Sequence, residues 1–217
     1  MKILFFLTGF RQLKEYDYQA FFLKRCSLIN VIADVIYYCN NSEISPEILD
    51  FYRKIPLKNK ELIITTKNTG GYRMGPFEGV ADNFSKFGDY DYVIHSHPDV
   101  FLINEQPFIE MLMNKMLSPT TFFVNWSFPE DKTFFSTDLF IFKPKQLKTN
   151  IFLDELYTYT DIGEHWLRHI ILKNNVSYEI IPRFENNFWH PRRIDMLGFW
   201  HEHELERIEE YIKSKTL

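Results

Sequence analysis

Apolar residues recur along this chain in short dense runs that alternate with stretches of helical spacing, and the alternation predicts the fold. Residues 2–7 form a continuous apolar run, the pattern of a strand buried on both faces, and Thr8-Gly9-Phe10-Arg11 follows as its loop. Residues 18–29 place Phe22, Cys26 and Ile29 at helical spacing, and 31–39 read as a second apolar strand ending at Asn40-Asn41-Ser42. Ser45-Pro46-Glu47 has the chemistry of a helix start, with a capping hydroxyl and a proline in the first turn. A β-branched strand over 61–66 runs into Lys67-Asn68-Thr69-Gly70-Gly71, and Phe77, Val80, Ala81 and Phe84 mark the next amphipathic helix. A strand at 92–94 closes this series.

Three strand–helix units followed by a strand predict a doubly wound, mainly parallel sheet, in which ligands bind at the carboxyl ends of the strands. That rule puts Thr8, Gly9, Arg11, Asn40, Asn68 to Arg73, and the residues after Ile94 along one edge. The pattern then loosens. A helix is expected over 105–116, strands over 121–126 and 134–142 (the second with a polar notch at Ser136-Thr137-Asp138), a helix over 163–172 and a strand over 178–181. An aromatic, histidine-rich loop over 188–203 and a terminal helix over 204–212 complete the chain. No linker, repeat or low-complexity stretch interrupts it, so residues 1–217 are expected to form a single domain.

Composition narrows the classes. A formal net charge of -4 argues against a general nucleic-acid binder. The 22 Phe and 12 Tyr serve either a core or stacking platforms. Cys26 and Cys39 lack CxxC spacing and sit in apolar contexts, as small core residues of a reducing compartment do. The N-terminal apolar run is too short for a signal peptide, and no stretch approaches the roughly 20 apolar residues that span a bilayer. A cytoplasmic protein is expected, with peripheral attachment to a membrane left open.

The chemistry concentrates at residues 90–101, YDYVIHSHPDVF, where an apolar strand stops at His95, His97 and Asp99, set two residues apart. In an extended chain that spacing puts all three on one face. Two functional readings compete for it: a divalent cation held against a diphosphate, or a His-x-His zinc site of the hydrolase kind. The structural alternative is that the histidines cap a buried strand and Asp99 starts a turn after Pro98.

Taken together, the order of these features resembles the GT-A glycosyltransferases over most of the chain. The resemblance implies an α/β, GT-A-like fold: a mainly parallel Rossmann-like sheet flanked by helices, with residues 1–103 binding the nucleotide sugar and a mixed half, 104–217, binding the acceptor. It implies transfer of a monosaccharide, hexose or pentose, from a nucleotide-diphosphate sugar to a glycan acceptor with Mn²⁺ or Mg²⁺. His97-Pro98-Asp99 occupies the place of the family's Asp-x-Asp metal motif with the first Asp replaced. Glu164-His165 resembles the family's acidic pair at a helix start, and His201 or His203 the late metal-binding His. Asp99, His97, His201 and His203 are then the candidate metal ligands, and Thr8, Gly9, Arg11, Asn40, Asn68, Gly71, Arg73 and His97 the donor-binding set.

Glycines at 71, 75 and 79 share one helix face and allow close backbone approach; a helix starting near Gly71 would offer its free N–H groups to a pyrophosphate. Asp138, in an otherwise apolar strand, needs hydrogen-bond donors, an acceptor sugar hydroxyl being one, and Glu164 is the candidate general base. His165 and His169 read as surface or packing residues, while Trp189, His190, Arg192, Arg193, Trp200 and His201 could close over the donor. Two rival classes stand beside this one: a zinc hydrolase on His95, His97 and Asp99, and a non-catalytic carbohydrate-binding module.

Overall fold

The computed structural model describes residues 1–9, 13–40, 46–54, 57, 59–67, 71–128, 131–181 and 197–216. In the first half β1 (Ile3–Gly9), α1 (Leu13–Leu23), α2 (Ile29–Ile32), β2 (Ala33–Cys39), α3 (Pro46–Lys54), β3 (Lys60–Ile64), α4 (Gly71–Asn83) and β4 (Tyr92–Ser96) follow in order. The second half contains β5 (Val100–Leu102), α5 (Glu105–Asn114), β6 (Phe122–Val124), β7 (Trp126–Phe128), β8 (Asp131–Phe135) and β9 (Leu139–Phe142). It ends with α6 (Gly163–Lys173), β10 (Tyr178–Ile180), β11 (Phe199–His201) and α7 (Leu205–Thr216).

A seven-stranded sheet of order β10-β6-β9-β4-β1-β2-β3 forms the centre. β1 pairs in parallel with β2 and with β4, and β2 in parallel with β3. The continuous apolar runs follow from that position, since a central strand needs apolar side chains on both faces. Ile3, Phe5, Leu7, Val35, Tyr37 and Ile94 meet Leu23 of α1 and Phe108 and Leu112 of α5 on one side. Leu4, Phe6, Ile36, Tyr38, Val93 and Phe140 meet Phe77 and Val80 of α4 and Trp166 of α6 on the other. The close approach expected of the glycine face occurs at Gly79, where a Cβ would lie 2.5 Å from the Tyr38 ring.

Two departures from the sequence reading shape the functional edge. The single strand expected over 134–142 is broken: the chain bends at Ser136-Thr137-Asp138 between β8 and β9, because β8 pairs with β7 in a separate ribbon while β9 enters the main sheet. β9 runs antiparallel to both β4 and β6. The late aromatic segment also contains a strand, since β11 pairs antiparallel with β5, placing His201 opposite Val100. Smaller shifts occur at the element ends; the second strand, for example, starts at Ala33, after the single turn of α2.

The β5–β11 ribbon depends on Gly198. Its φ is +82°, and a Cβ there would lie 2.0 Å from the Asn104 carbonyl oxygen. That glycine's own carbonyl accepts from Ile103 N (2.9 Å) and Asn104 N (3.2 Å). Gly198→Ala must therefore distort both the dihedral and the neighbouring strand, a cost of about 1–3 kcal/mol. The expected outcome is a lower urea midpoint together with faster hydrogen exchange at residues 199–201.

Candidate functional site

The β4–β9 ladder sets the first two side chains. Ser96 pairs with Leu139, and the antiparallel register continues one residue further, where His97 N donates to Asp138 O at 2.9 Å. The bend at 136–138 therefore delivers a carboxylate beside the end of β4. β4 stops at Ser96, and Val100 N donates to His97 O at 3.3 Å, closing a turn over Pro98 and Asp99.

A buried amide from α1 fastens that turn: Gln19 Nε2 donates to His97 O (3.0 Å) and Val100 O (3.2 Å), while its Oε1 accepts from Tyr37 (3.2 Å). From the other side Glu202 N donates to Asp99 O at 3.0 Å, extending the β5–β11 ribbon. Buried Glu202 in turn accepts from His203 N and Glu204 N, both at 3.0 Å, and its other oxygen lies 3.6 Å from Arg207.

Carboxylates and imidazoles alternate across the space so enclosed. His97 Nδ1 lies 3.4 Å from Asp138 Oδ1, and Asp138 Oδ2 lies 3.6 Å from His201 Nδ1. His201 Nε2 lies 3.5 Å from Asp99 Oδ2, which is also 2.9 Å from His203 Nδ1. Ser136 Oγ donates to Asp138 Oδ2 at 3.3 Å.

Asp99, His201 and His203 each offer one ligand atom, all within 4.8 Å of one another. The side chains of Asp99 and His201 are 15% and 7% exposed and that of His203 is 62% exposed, so the group is closed on one side and open to solvent on the other. Asp99 Oδ1, His201 Nε2 and His97 Nε2 are buried atoms with no hydrogen-bond partner among the described residues. Buried polar atoms left in this state are costly, and a cation between Asp99 and His201 would satisfy the first two.

Electrostatics follow the same geometry. Burial alone would raise the pKa of Asp99, but His201 and His203 outweigh it and hold the carboxyl well below the usual range. Burial works against a charged His97, yet the contact with Asp138, followed by the charge of Asp99, raises its pKa above the ordinary value. His95 moves the other way. Burial, followed by the neighbouring His97, pushes it well below 6.5.

His95 is no ligand in this arrangement. Its ring is fully buried, stacked at 20° on Phe140 and at 16° on Phe77, and its Nε2 shares a 3.0 Å hydrogen bond with Thr8 Oγ1. The zinc triad of His95, His97 and Asp99 is therefore not assembled, because the strand ends before His97 and the three side chains do not stay on one face. The same bond occupies the hydroxyl of buried Thr8, one residue before the end of β1. His97 stands outside the three-residue ligand group and faces Asp138 instead.

Gly9 ends β1, buried Asn40 follows β2, and Gly71 opens α4 with Arg73 in its first turn. Glu164 lies in the first turn of α6, close enough for its charge to act on His97. Trp200 belongs to the core with Phe22, Phe101 and Ile208, so its ring does not close over a ligand. His165 stacks on Phe134 and pairs with Asp161, and His169 bonds Glu155, as packing and surface residues do. Arg11, Asn68, Trp189, His190, Arg192 and Arg193, like the Arg73 side chain, lie outside the described residues.

Two contributors were missed by sequence reasoning. Gln19 carried no signal beyond being a polar residue between Tyr18 and Ala20 in an apolar helix. Glu202, three residues ahead of the first residue of α7, carried no signal beyond its place in the polar run His201-Glu202-His203-Glu204.

No protein-family model matches the sequence, and no curated protein matches it. Solved structures do match, across nearly the whole chain. A glycosyltransferase involved in glycosylation of the major capsid of PBCV-1 is 10% identical at a TM-score of 0.60, over 98% of this chain and 99% of that one. A mannosyltransferase from Pyrobaculum calidifontis, solved with GDP-Man and Mn²⁺, is 10% identical at 0.56, over 85% of this chain and 58% of that one. A cytidylyltransferase from Leptospira borgpetersenii is 12% identical at 0.55, over 100% of this chain and 95% of that one. The fold is thus the GT-A-like fold expected from the sequence.

The lowered pKa of His95 has a measurable consequence. Near the ordinary value of 6.5 the unfolded chain takes up a proton that the folded protein refuses, so U binds more protons than N. The stability is present above that pH and is lost as the pH falls below it, at up to about 1.4 kcal/mol per unit. His95→Gln retains a partner for Thr8 but cannot titrate. It is expected to flatten the fall in urea-derived stability between about pH 6.5 and 5 relative to the parent protein.

Proposed function

We propose that this protein is a glycosyltransferase, moving a monosaccharide from a nucleoside-diphosphate sugar to a carbohydrate acceptor with a divalent cation held by Asp99, His201 and His203. The observation that carries the reading is the position of that group. It sits where β4 and β1, adjacent parallel strands, reach their carboxyl ends, the place at which doubly wound sheets bind nucleotides.

The donor set fits a borderline transition ion. Two imidazoles and one carboxylate suit Mn²⁺ better than Mg²⁺, which prefers oxygen ligands and retained waters. When bound, the cation supplies positive charge against the departing diphosphate, whose oxygens gain charge as the sugar bond breaks.

The protein's own groups complete the assignment. We assign the phosphate oxygens to the N–H groups opening α4 at Gly71, with Arg73 in the same turn. Gly9 and Asn40, at the ends of β1 and β2, border the nucleoside, and Arg11 and Asn68 belong to the connections that follow β1 and β3. His97, with Asp138 on Nδ1 and no partner on Nε2 among the described residues, can donate from that nitrogen to phosphate when protonated. Glu164 is the proposed general base for the acceptor hydroxyl. Among the described residues no helix is long and apolar enough to cross a membrane.

Thermal melting against a panel of nucleoside-diphosphate sugars tests the reading. At a hundredfold excess over Kd the right donor with Mn²⁺ is expected to raise Tm by roughly 5–10 °C, and a chelator to abolish the rise. Asp99→Asn should cost nucleotide release at least the 10–100-fold seen when outer-shell partners of a metal are lost.

Indifference to every nucleotide, with or without Mn²⁺, ends the proposal. Tightly held zinc together with that indifference would point to a hydrolase, whose metals favour the same donor set. Glycan binding that survives Asp99→Ala, with no turnover by the parent protein, would point to a binding module.

A further inference from the structure

Asp138 entered as a candidate for holding an acceptor hydroxyl, but its surroundings assign it a different task. Its two oxygens face two imidazoles, His97 Nδ1 at 3.4 Å and His201 Nδ1 at 3.6 Å. In both rings the far nitrogen, Nε2, is buried and has no hydrogen-bond partner among the described residues. An ionised carboxylate only accepts, so a nitrogen that faces one is drawn to carry the hydrogen. His201 faces one at each nitrogen, but Asp99 Oδ2, on the Nε2 side, already has His203 Nδ1 at 2.9 Å, which leaves the hydrogen of a neutral His201 to Asp138 on Nδ1 and the lone pair on Nε2.

For His201 that nitrogen points to Asp99, 3.5 Å from Oδ2. A ring lone pair and a carboxylate oxygen facing each other at that distance repel unless a cation lies between them. The separations on the Asp138 side exceed a closed hydrogen bond; what the carboxylate fixes is the direction and tautomer of the rings. Asp138 can do so because the backbone holds it in place: its carbonyl accepts from His97 N at 2.9 Å, and Ser136 N, at the bend, is tied to Asn125 O at 2.8 Å.

We propose that Asp138 is a positioning residue, holding His201 with its hydrogen on Nδ1 so that Nε2 presents a lone pair to the cation shared with Asp99. The inference rests on the reading of Asp99, His201 and His203 as a cation site. It separates the two carboxylates of the edge by role: Asp99 touches the ion, and Asp138 acts on it through an imidazole, as outer-shell carboxylates do in metal sites.

The test titrates the full chain with Mn²⁺ and follows the free-ion electron paramagnetic resonance signal, in the parent protein and in Asp138→Asn, Asp138→Glu and Asp138→Ala. In parallel, nitrogen-15 imidazole spectra without metal report which nitrogen of His201 is protonated. Asp138→Asn and Asp138→Ala are expected to bind Mn²⁺ about 10–100-fold more weakly, and Asp138→Glu to recover part of the loss. The parent's His201 is expected to show Nδ1 protonation, reduced in Asp138→Asn.

Unchanged Mn²⁺ affinity in Asp138→Asn overturns this inference and leaves the cation site standing. Absence of Mn²⁺ binding by the parent protein overturns both. A neutral His201 protonated on Nε2 in the parent protein overturns the inference without recourse to any variant, so the conclusion survives a substitution that fails to fold.

Discussion

Two carboxylates in partial burial, each set between imidazoles, are the constraint on which this edge of the molecule depends. Asp99 faces His201 and His203, and Asp138 faces His97 and His201. Ionised alone at such depth, either would be expensive. The alternation His97, Asp138, His201, Asp99, His203 distributes that cost, and two of the atoms it leaves unsatisfied, Asp99 Oδ1 and His201 Nε2, belong to the residues that can hold an ion. The surrounding backbone bonds, from Gln19 to the turn and from Glu202 to Asp99, hold this sequence of charges in register rather than adding to it.

Topology explains how five residues from three parts of the chain come together. Parallel strands present their carboxyl ends at one edge, which brings His97 and Asp99 there from β4. An antiparallel strand at the same edge presents its beginning instead, which brings Asp138 in at the start of β9. The β5–β11 ribbon then lies across the turn and adds His201. A sheet that was parallel throughout would have put Asp138 at the opposite edge, far from any of the histidines.

Much of the parallel half was legible because burial on both faces forces continuous apolar runs, and β1, β2 and β4 lie close to the expected spans. Asp99, His201 and His203 were read as candidate ligands by residue type and by resemblance to a known order of landmarks, and the fold gathers one ligand atom of each within 4.8 Å of the others. What could not be read was direction. Alternation along 134–142 suits one strand or two, and only pairing to different neighbours decides for a bend at Ser136-Thr137-Asp138. The same limit misplaced His95: the two-residue spacing of His95, His97 and Asp99 keeps one face only while the chain stays extended, and the turn at Pro98 ends that. Gln19 was invisible because its partners are backbone carbonyls distant in sequence.

Asp99 and His201 stand roughly a hundred residues apart along the chain and are joined across the β5–β11 ribbon, so this contact closes a very long loop. Contacts of that sequence separation form late in folding, after local helices and neighbouring parallel strands. An ion that needs both residues has little purchase on the nascent first half, whatever its concentration. On the proposed cation site, metal capture would then require both halves of the fold: a chain lacking the β5–β11 pairing would have Asp99 without His201 and no such site.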